Sequence, residues 1–268
     1  MRNLYLTDLK RILKDKLFMV TCIIAGAFAL FNPLLYKLIL DTVDITQLLG
    51  MTVNAKSLTF SAFLPGDNLG LVMSILMAII LCKDFSHGTV RNKIISGYPR
   101  SRILLSNLLA SASVMCGLML MHAMLTLGFS LFFFPYQPEA FCLSDLGYLL
   151  LSILFEMAVY FAIAAILTFC AMNAKNAGIC ILIYLAISLG FSLVGSIFQV
   201  CGMFLDPTSG AYEVINFLNA FNLFNPSLIG AGVTYSAKDI LYILIAPVTF
   251  TVLATLLGTK LFARKNLK

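Results

Sequence analysis

The sequence predicts an all-α membrane protein whose six transmembrane helices form a single domain over residues 1–268. Two observations carry this prediction. Hydrophobic residues make up 60% of the chain and charged residues only 11%, whereas a soluble domain carries roughly a quarter charged residues. The charges are also clustered, which leaves apolar runs of about 20 residues, the length that a helix needs to cross a bilayer. A chain of this composition is too poor in polar residues to cover a water-facing surface.

Six apolar runs define the predicted spans, which lie at 17–40, 66–83, 104–134, 148–171, 177–204 and 240–262. The third run exceeds 25 residues, so we expect it to be tilted, kinked or longer than the bilayer is thick. Pro33 and Pro247 lie inside the first and last runs. Neighbouring helices can satisfy the carbonyl that a proline frees, so we expect kinks there rather than helix ends.

Lys and Arg set the expected orientation. Fifteen of the 18 fall in segments on one side, against Lys37, Lys56 and Lys238 on the other. Because cytoplasmic segments carry the excess of Lys and Arg, we expect both termini in the cytoplasm and a multi-pass protein of the plasma membrane. Bases confined to short segments between apolar runs set topology, so they do not indicate a nucleic-acid partner.

Residues 1–16 predict an amphipathic helix ahead of the first span. A stripe of four leucines runs along it, at Leu6, Leu9, Leu13 and Leu17. These positions fall within about 80° of one another on a helix, and basic side chains flank them. Such a helix lies in the membrane interface with its cations near anionic headgroups. The alternative is a solvated leader that only sets the orientation.

The loop after the second run, residues 83–102, is the longest charged segment that we expect to face the cytoplasm. Ser86 is placed to cap a short helix there, and Gly97 and Pro99 would end it. The helix would carry exposed bases at Arg91 and Lys93 and an apolar face at Val90, Ile94 and Ile95. A solvated loop does not need an apolar face, whereas a docking surface for a soluble partner does.

The stretch 205–239 is too short and polar to span the membrane. Asparagines recur in it every three residues, at Asn216, Asn219, Asn222 and Asn225. In a helix, Phe217, Phe221 and Phe224 would fall within about 60° of one another, with the asparagines over the opposite half. This pattern favours a re-entrant or interfacial segment before the last span, and packing of the segment against the spans is compatible with it.

Two ionisable side chains lie well inside predicted spans. Glu156 is one turn from Tyr160 in the fourth span, and His122 lies in the third. Intramembrane charges usually face a cavity or a partner, so these three residues are candidates for a path through the membrane. The alternative for Glu156 is a structural hydrogen bond to a neighbouring helix. Methionines surround His122 and suit soft metals, but Met is also the adaptable filler of apolar cores, and we expect no metal site.

The loop after the second run carries a resemblance to a known family. Residues 84–92 read Asp-Phe-Ser-His-Gly-Thr-Val-Arg-Asn and residues 97–102 read Gly-Tyr-Pro-Arg-Ser-Arg. Together they resemble the acidic-x-x-x-Gly-Thr…Pro-x-Ser-Arg pattern of permease subunits of bacterial type-2 ATP-binding-cassette (ABC) exporters. The amphipathic N-terminal helix, the six spans and the segment before the last span extend the resemblance over the whole chain. Asp84 departs from the pattern, in which Glu is commoner, but its carboxylate should still pair with a nearby base.

The resemblance implies the transmembrane subunit of an exporter that is driven by ATP hydrolysis in a separate subunit. The N-terminal helix would be its elbow helix, and the helix after the second span its coupling helix, which contacts the ATPase. The candidate coupling residues are Asp84, His87, Gly88, Thr89, Arg91, Asn92, Lys93, Arg100 and Arg102. The expected partners are two ATPase subunits, a second permease subunit that is identical or paralogous, and membrane lipids.

The chain contains no Gly-x-x-x-x-Gly-Lys-Ser/Thr loop, the motif that cradles phosphates. We therefore expect no cofactor on this chain, and ATP and Mg²⁺ on the partner ATPase. Compact outer loops leave no large extracellular receptor domain, and the wide apolar cavity expected of such a permease suits an amphipathic cargo such as a peptide, an antibiotic or a lipid-like molecule. The export direction rests on the resemblance alone.

Two other functions compete with this one. An ATP-independent channel or secondary transporter is favoured by inverted repeats, and the sequence shows no convincing repeat. An integral membrane enzyme needs paired catalytic groups at membrane depth. The chain offers one Glu and one His on different spans, so we expect no catalytic residues.

Overall fold

A computed structural model describes residues 2–42, 54–65, 68–86, 88–135, 143–174, 176–206, 208–224 and 235–264. Within these ranges the chain forms ten α-helices and no strand. They are α1 (Arg2–Lys14), α2 (Lys16–Thr42), α3 (Ala55–Ser61), α4 (Asn68–Ser86), α5 (Thr89–Ile95), α6 (Arg100–Phe133), α7 (Leu143–Asn173), α8 (Ala177–Met203), α9 (Gly210–Asn219) and α10 (Ala237–Arg264). The all-α fold class is therefore confirmed.

Five of these helices are long and apolar enough to cross a membrane, namely α2, α6, α7, α8 and α10. A sixth span would be α4 taken together with α5, which meet at a bend of 47°. Since a helix of about 20 apolar residues spans a bilayer, the chain is a multi-pass membrane protein. Within the described residues, each of the six predicted apolar runs corresponds to one helix, with the second on α4.

The two central helices are α6 and α7. The most apolar stretch of α6 is 72% buried and that of α7 56% buried, against 22% or less in α2, α8 and α10. Helix α10 packs mainly on α7, α2 packs on α6, and α4 contacts α2, α7 and α8. The peripheral helices therefore turn most of their apolar surface outwards, as expected for helices that face lipid.

Prolines and glycines shape the outer helices. Both α2 and α10 continue through their prolines, Pro33 and Pro247, so the prediction that neither proline ends a helix is confirmed. Gly258 lets α10 approach its neighbours closely, because a Cβ there would lie 3.0 Å from Leu104 Cδ1 and 3.6 Å from Phe169 Cδ2. Small residues at such crossings allow helices in membranes to pack tightly.

Charged residues gather at one end of the bundle, which we call the basic end. The end of α4, the start of α6 and the end of α10 meet there with α1 and α5. Arg100 at the start of α6 donates to the carbonyl oxygens of Phe262 and Ala263 at the end of α10, at 2.8 and 3.1 Å. These free carbonyls at a helix C-terminus attract a cation, so Arg100 fixes α10 to α6.

At the opposite end lie α3 and α9. Asn54 caps α3, and the amide of Ala55 donates to Pro135 O beyond α6 at 3.0 Å. Helix α9 packs on α8, and Asn222 just after it donates to Phe191 O of α8 at 3.1 Å. Asn219 and Asn222 are buried, whereas Phe217 and Phe221 are exposed. Phe224 is buried as well, because the helix ends at Asn219 and the helical spacing does not continue to that residue. The predicted segregation is thus present for Phe217 and Phe221, with the asparagine side turned towards the protein, and is wrong for Phe224.

Candidate functional site

The short helix α5 at the basic end is the centre of the candidate site. It starts after Gly88, whose φ is 69°, and ends before Gly97, whose φ is 86°. Both values fall in the left-handed region that glycine adopts without a steric cost. The predicted stop at Gly97 is confirmed, but the predicted cap at Ser86 is wrong. The residue at the cap position is Gly88, which has no side chain to cap the helix.

One side of α5 is buried against the bundle. Val90 is 1% exposed and packs in a cluster with Leu4 of α1, Ile103 and Leu104 of α6 and Phe262 of α10. The prediction that Val90 contributes to an exposed apolar face is therefore wrong. The burial of Val90 against three other helices attaches α5 to the bundle.

The other side of α5 is open. Arg91 and Asn92 are exposed, and Ile95 is 74% exposed, while Ile94 is half-buried. The prediction that Arg91 is exposed is confirmed. An exposed base, an amide and a large aliphatic side chain on one short helix form a surface that a soluble partner can contact. We call Arg91, Asn92 and Ile95 the open face of α5.

Lys93 is buried, although the sequence predicts it to be exposed. Its Nζ lies 2.5 Å from Asp8 Oδ1 of α1, and the second oxygen of that carboxylate accepts from Ser106 Oγ of α6 at 2.5 Å. Burial lowers the pKa of Lys93, and the adjacent Asp8 carboxylate opposes that effect. Because a buried charge is tolerated only when it is paired and hydrogen-bonded, Lys93 turns inwards to Asp8.

Two further ion pairs hold α1, and the residue that follows it, against α4. Arg11 contacts the carboxylate of Asp84 and lies 3.9 Å from Asp8. The prediction that Asp84 pairs with a base is confirmed, and the base belongs to α1. Lys83 Nζ lies 2.8 and 2.9 Å from the two oxygens of Asp15, between α1 and α2.

The Asp15 pair is strong enough to outweigh burial. Burial alone would raise the pKa of Asp15, but hydrogen bonds from Lys83 and from the Leu17 amide bring it below its ordinary value. A carboxylate stabilised in this way stays charged near neutral pH. Together these paired side chains form what we call the α1 charge cluster, which consists of Asp8, Arg11, Asp15, Lys83, Asp84, Lys93 and Ser106.

The remaining candidate coupling residues have different environments. Gly88 and Thr89 begin α5, and Arg100 holds the end of α10 with its guanidinium 5.7 Å from the centre of the Phe262 ring. Arg102 is exposed. His87 lies outside the described residues. Arg100 therefore has a structural contact within the bundle, whereas Arg102 is available on the surface.

The candidate path residues are all deeply buried. Glu156 and Tyr160 of α7 are each 1% exposed. Near them, Ser152 Oγ lies 2.8 Å from the hydroxyl of Tyr235, whose ring packs edge-on against Phe155. Burial raises the pKa of Tyr235, and the Ser152 hydrogen bond opposes this while the Glu156 charge adds to it. Glu156 therefore lies near the hydroxyl of Tyr235, two residues before α10 begins.

His122 of α6 forms a hydrogen bond to α2. Its Nδ1 lies 3.0 Å from the carbonyl oxygen of Ala25 in α2. Because a carbonyl only accepts, this nitrogen carries the proton. In the part of the chain that the structure covers, no group of three His, Cys, Asp or Glu side chains is placed to hold a metal ion.

Sequence reasoning missed Asp8, Arg11, Asp15 and Ser106. A signal for Asp8 is present, since Leu4, Asp8 and Ile12 recur every four residues and so share one face of α1. All three are buried. The partner Lys93 is 85 residues away, and no local pattern points to it.

Neither the models of known protein families nor the curated proteins include a match to this chain.

Proposed function

We propose that the chain is the permease subunit of an ABC exporter of the plasma membrane, and that α5 is the helix on which a separate ATPase subunit acts. The observation that supports this proposal is the two-sided character of α5. Val90 and Lys93 bind it to the bundle, while Arg91, Asn92 and Ile95 of its open face are exposed. A helix placed in this way can be displaced by a bound ATPase subunit and can transmit that displacement to the spans.

The α1 charge cluster would transmit a displacement of α5 to the neighbouring helices. Lys93 connects α5 to Asp8 of α1, Ser106 connects Asp8 to α6, and Arg11 connects α1 to Asp84 of α4. A displacement of α5 therefore moves α1, α4 and α6 together. Packed helices shift as rigid bodies rather than deform continuously, so closure of the ATPase dimer would tilt the spans of α4 and α6.

The other parts of the proposal follow from a permease that relies on a separate subunit for ATP hydrolysis. Two ATPase subunits bind ATP and Mg²⁺, a second permease copy or paralogue completes the path, and both termini face the cytoplasm at the basic end. Six spans result when α4 is counted as one of them. The cargo is an amphipathic peptide, antibiotic or lipid-like molecule, and α9 with residues 220–224 belongs to the re-entrant segment.

The coupling role is tested by reversing one charge on the open face. We expect Arg91→Glu to weaken capture of the proposed partner ATPase subunit by about tenfold, which corresponds to about 1.4 kcal/mol. Capture is measured by co-purification from detergent and by titration of the ATPase onto the reconstituted chain. ATP hydrolysis by the complex should fall in parallel.

Lys260→Glu is the matched control, because Lys260 is an exposed base on α10 near the same end of the bundle. We expect it to leave capture unchanged. Equal loss with both variants would show a nonspecific charge effect and contradict the role of α5. Failure of the unmodified chain to bind any ATPase would overturn the assignment to ABC exporters.

Glu156 is proposed to line the cargo path together with Tyr160. We expect Glu156→Gln to change the rate of cargo export while ATPase capture stays as in the unmodified chain, because Gln keeps the shape and removes the charge. The measurement is transport by cells or vesicles that carry the complex. Unchanged transport with Glu156→Gln would show that Glu156 is structural.

A further inference from the structure

A cleft of about 420 Å³ opens between α6, α7 and α10. Cys116 of α6 and Ala158 of α7 line it, and Thr251 lines it from α10. Each of the three lies within one residue of the midpoint of its helix. Since these helices are long enough to span a bilayer, we expect a cleft at their midpoints to lie near the level where the two lipid leaflets meet.

The cleft exists because α10 contacts its neighbours on either side of it. Towards the basic end, Gly258 allows close contact with Leu104 and Phe169. Towards the other end, Ile243 packs on Phe155. Pro247 lies between these contacts and forms part of the wall, and a proline inside a helix removes one backbone hydrogen bond and favours a kink.

The chemistry of the walls excludes water and polar ligands. The lining is aliphatic, aromatic or thioether apart from the Thr251 hydroxyl and the Cys116 thiol. The thiol donates to the carbonyl oxygen of Met157 at 3.6 Å, so it is already bound to the protein. A stable buried water needs two to four polar partners, whereas apolar cavities stay dry and take up apolar molecules.

The cleft opens towards the lipid. Val248 and Val252 form its rim and are 55% and 50% exposed. They belong to α10, the most apolar stretch of which is only 22% buried. The molecules present at this depth of a bilayer are the ends of acyl chains, so an apolar cleft that opens here is in contact with them.

We propose that this cleft binds the methyl end of one acyl chain of a membrane lipid. The wall runs from Pro247 to Val252, about 8 Å along α10 at 1.5 Å per residue. The volume lies in the lower part of the range of roughly 300–1,000 Å³ for small-ligand pockets, so it takes a chain end rather than a whole lipid. Such a chain fills the space between α10 and the two central helices. This site is independent of the coupling role of α5.

The absence of tryptophan from the chain provides a direct test. Val252→Trp places a single indole on the rim, and Leu253→Trp is the matched control, because Leu253 is 52% exposed on the same helix at the same depth but does not line the cleft. The full chain is reconstituted into phosphatidylcholine vesicles whose chains carry bromine near the methyl end or near the carbonyl. A pocket buries most of its ligand, so a bound chain end would stay in contact with the indole at position 252. We therefore expect bromine near the methyl end to quench the indole at position 252 about twofold more than the indole at position 253.

A second substitution separates the bound chain from the bulk lipid. Ala158→Phe fills the cleft from α7, so it should bring the quenching at position 252 down to the level at position 253 and leave position 253 unchanged. Ala158→Val, a smaller change, should give an intermediate value, and it serves as the filled variant if the phenylalanine prevents folding. Equal quenching at the two positions before any filling would overturn the proposal. So would weaker quenching at position 252, which is the result expected if a second copy of the chain covers the cleft.

Discussion

Asp8→Ala and Lys93→Met should each destabilise the folded chain by about 3–5 kcal/mol, the cost of leaving one buried charge without its partner. Asp8 is 1% exposed and the Lys93 side chain 9%, so water cannot replace the missing group. The double variant Asp8→Leu/Lys93→Met should recover most of the loss, because apolar residues of similar volume can replace a buried ion pair without a net cost. The measurement is the free energy of unfolding in mixed detergent micelles.

The exposed ion pair at the opposite end is the control for this series. Lys238 and Glu213 lie 2.9 Å apart, and their side chains are 58% and 64% exposed. Exposed pairs contribute little because solvent screens them, so Glu213→Ala should leave the free energy of unfolding unchanged. Single variants at Asp8 or Lys93 that behave like Glu213→Ala would show that the buried pair does not hold α1 in place. A double variant no more stable than the weaker single one would lead to the same conclusion.

Gly70→Ala should produce the second large effect, a destabilisation of about 3 kcal/mol or more from overpacking. A Cβ at this position of α4 would lie 2.7 Å from Pro65 Cα and 2.8 Å from Pro65 C, and it would also collide with the Pro65 carbonyl oxygen. These atoms belong to the backbone, so no side-chain rotation relieves the contact. The segment after α3 would have to move away from α4. Thermal unfolding of the purified variant measures the loss.

Gly117→Ala is the control for the glycine series. Gly117 lies inside α6, and apart from its chain neighbours and the nearby backbone of its own helix no heavy atom lies within 4 Å of a Cβ built there. Alanine is favoured over glycine in a helix interior by about 1 kcal/mol, so this variant should be as stable as the unmodified chain or slightly more so. A similar loss with both variants would show that Gly70 is not a point of close approach.

The helical framework was predictable from composition and length alone. Every predicted apolar run lies on a helix, and Gly97 ends α5 as predicted, because apolar periodicity and glycine conformation act locally. The separation of the asparagines from Phe217 and Phe221 was also predictable from their spacing. Which of the two sides would face the protein was not. Asn222 turns towards the protein because it can donate to a backbone carbonyl of α8.

The interior of the candidate site was not predictable, because its contacts join distant parts of the chain. Charged residues are assumed to face water, and on that basis Lys93 was assigned to the surface. The structure pairs it with an acid on α1, since α1 crosses the start of α6 and brings Asp8 over α5. Only the spacing of Leu4, Asp8 and Ile12 shows in advance that this acid shares a buried face.

The span of the Asp8–Lys93 contact also sets an order of assembly during synthesis. A ribosome makes the acid 85 residues before its partner, which at about 5–20 residues per second is an interval of roughly 4–17 seconds. Ser106, the second partner of the carboxylate, follows later still, at the start of α6. Throughout that interval Asp8 has Arg11 beside it but lacks Lys93 and Ser106, the two groups that hydrogen-bond its carboxylate in the folded protein. The contacts that fix α1 through Asp8 therefore cannot be complete before the start of α6 has been synthesised.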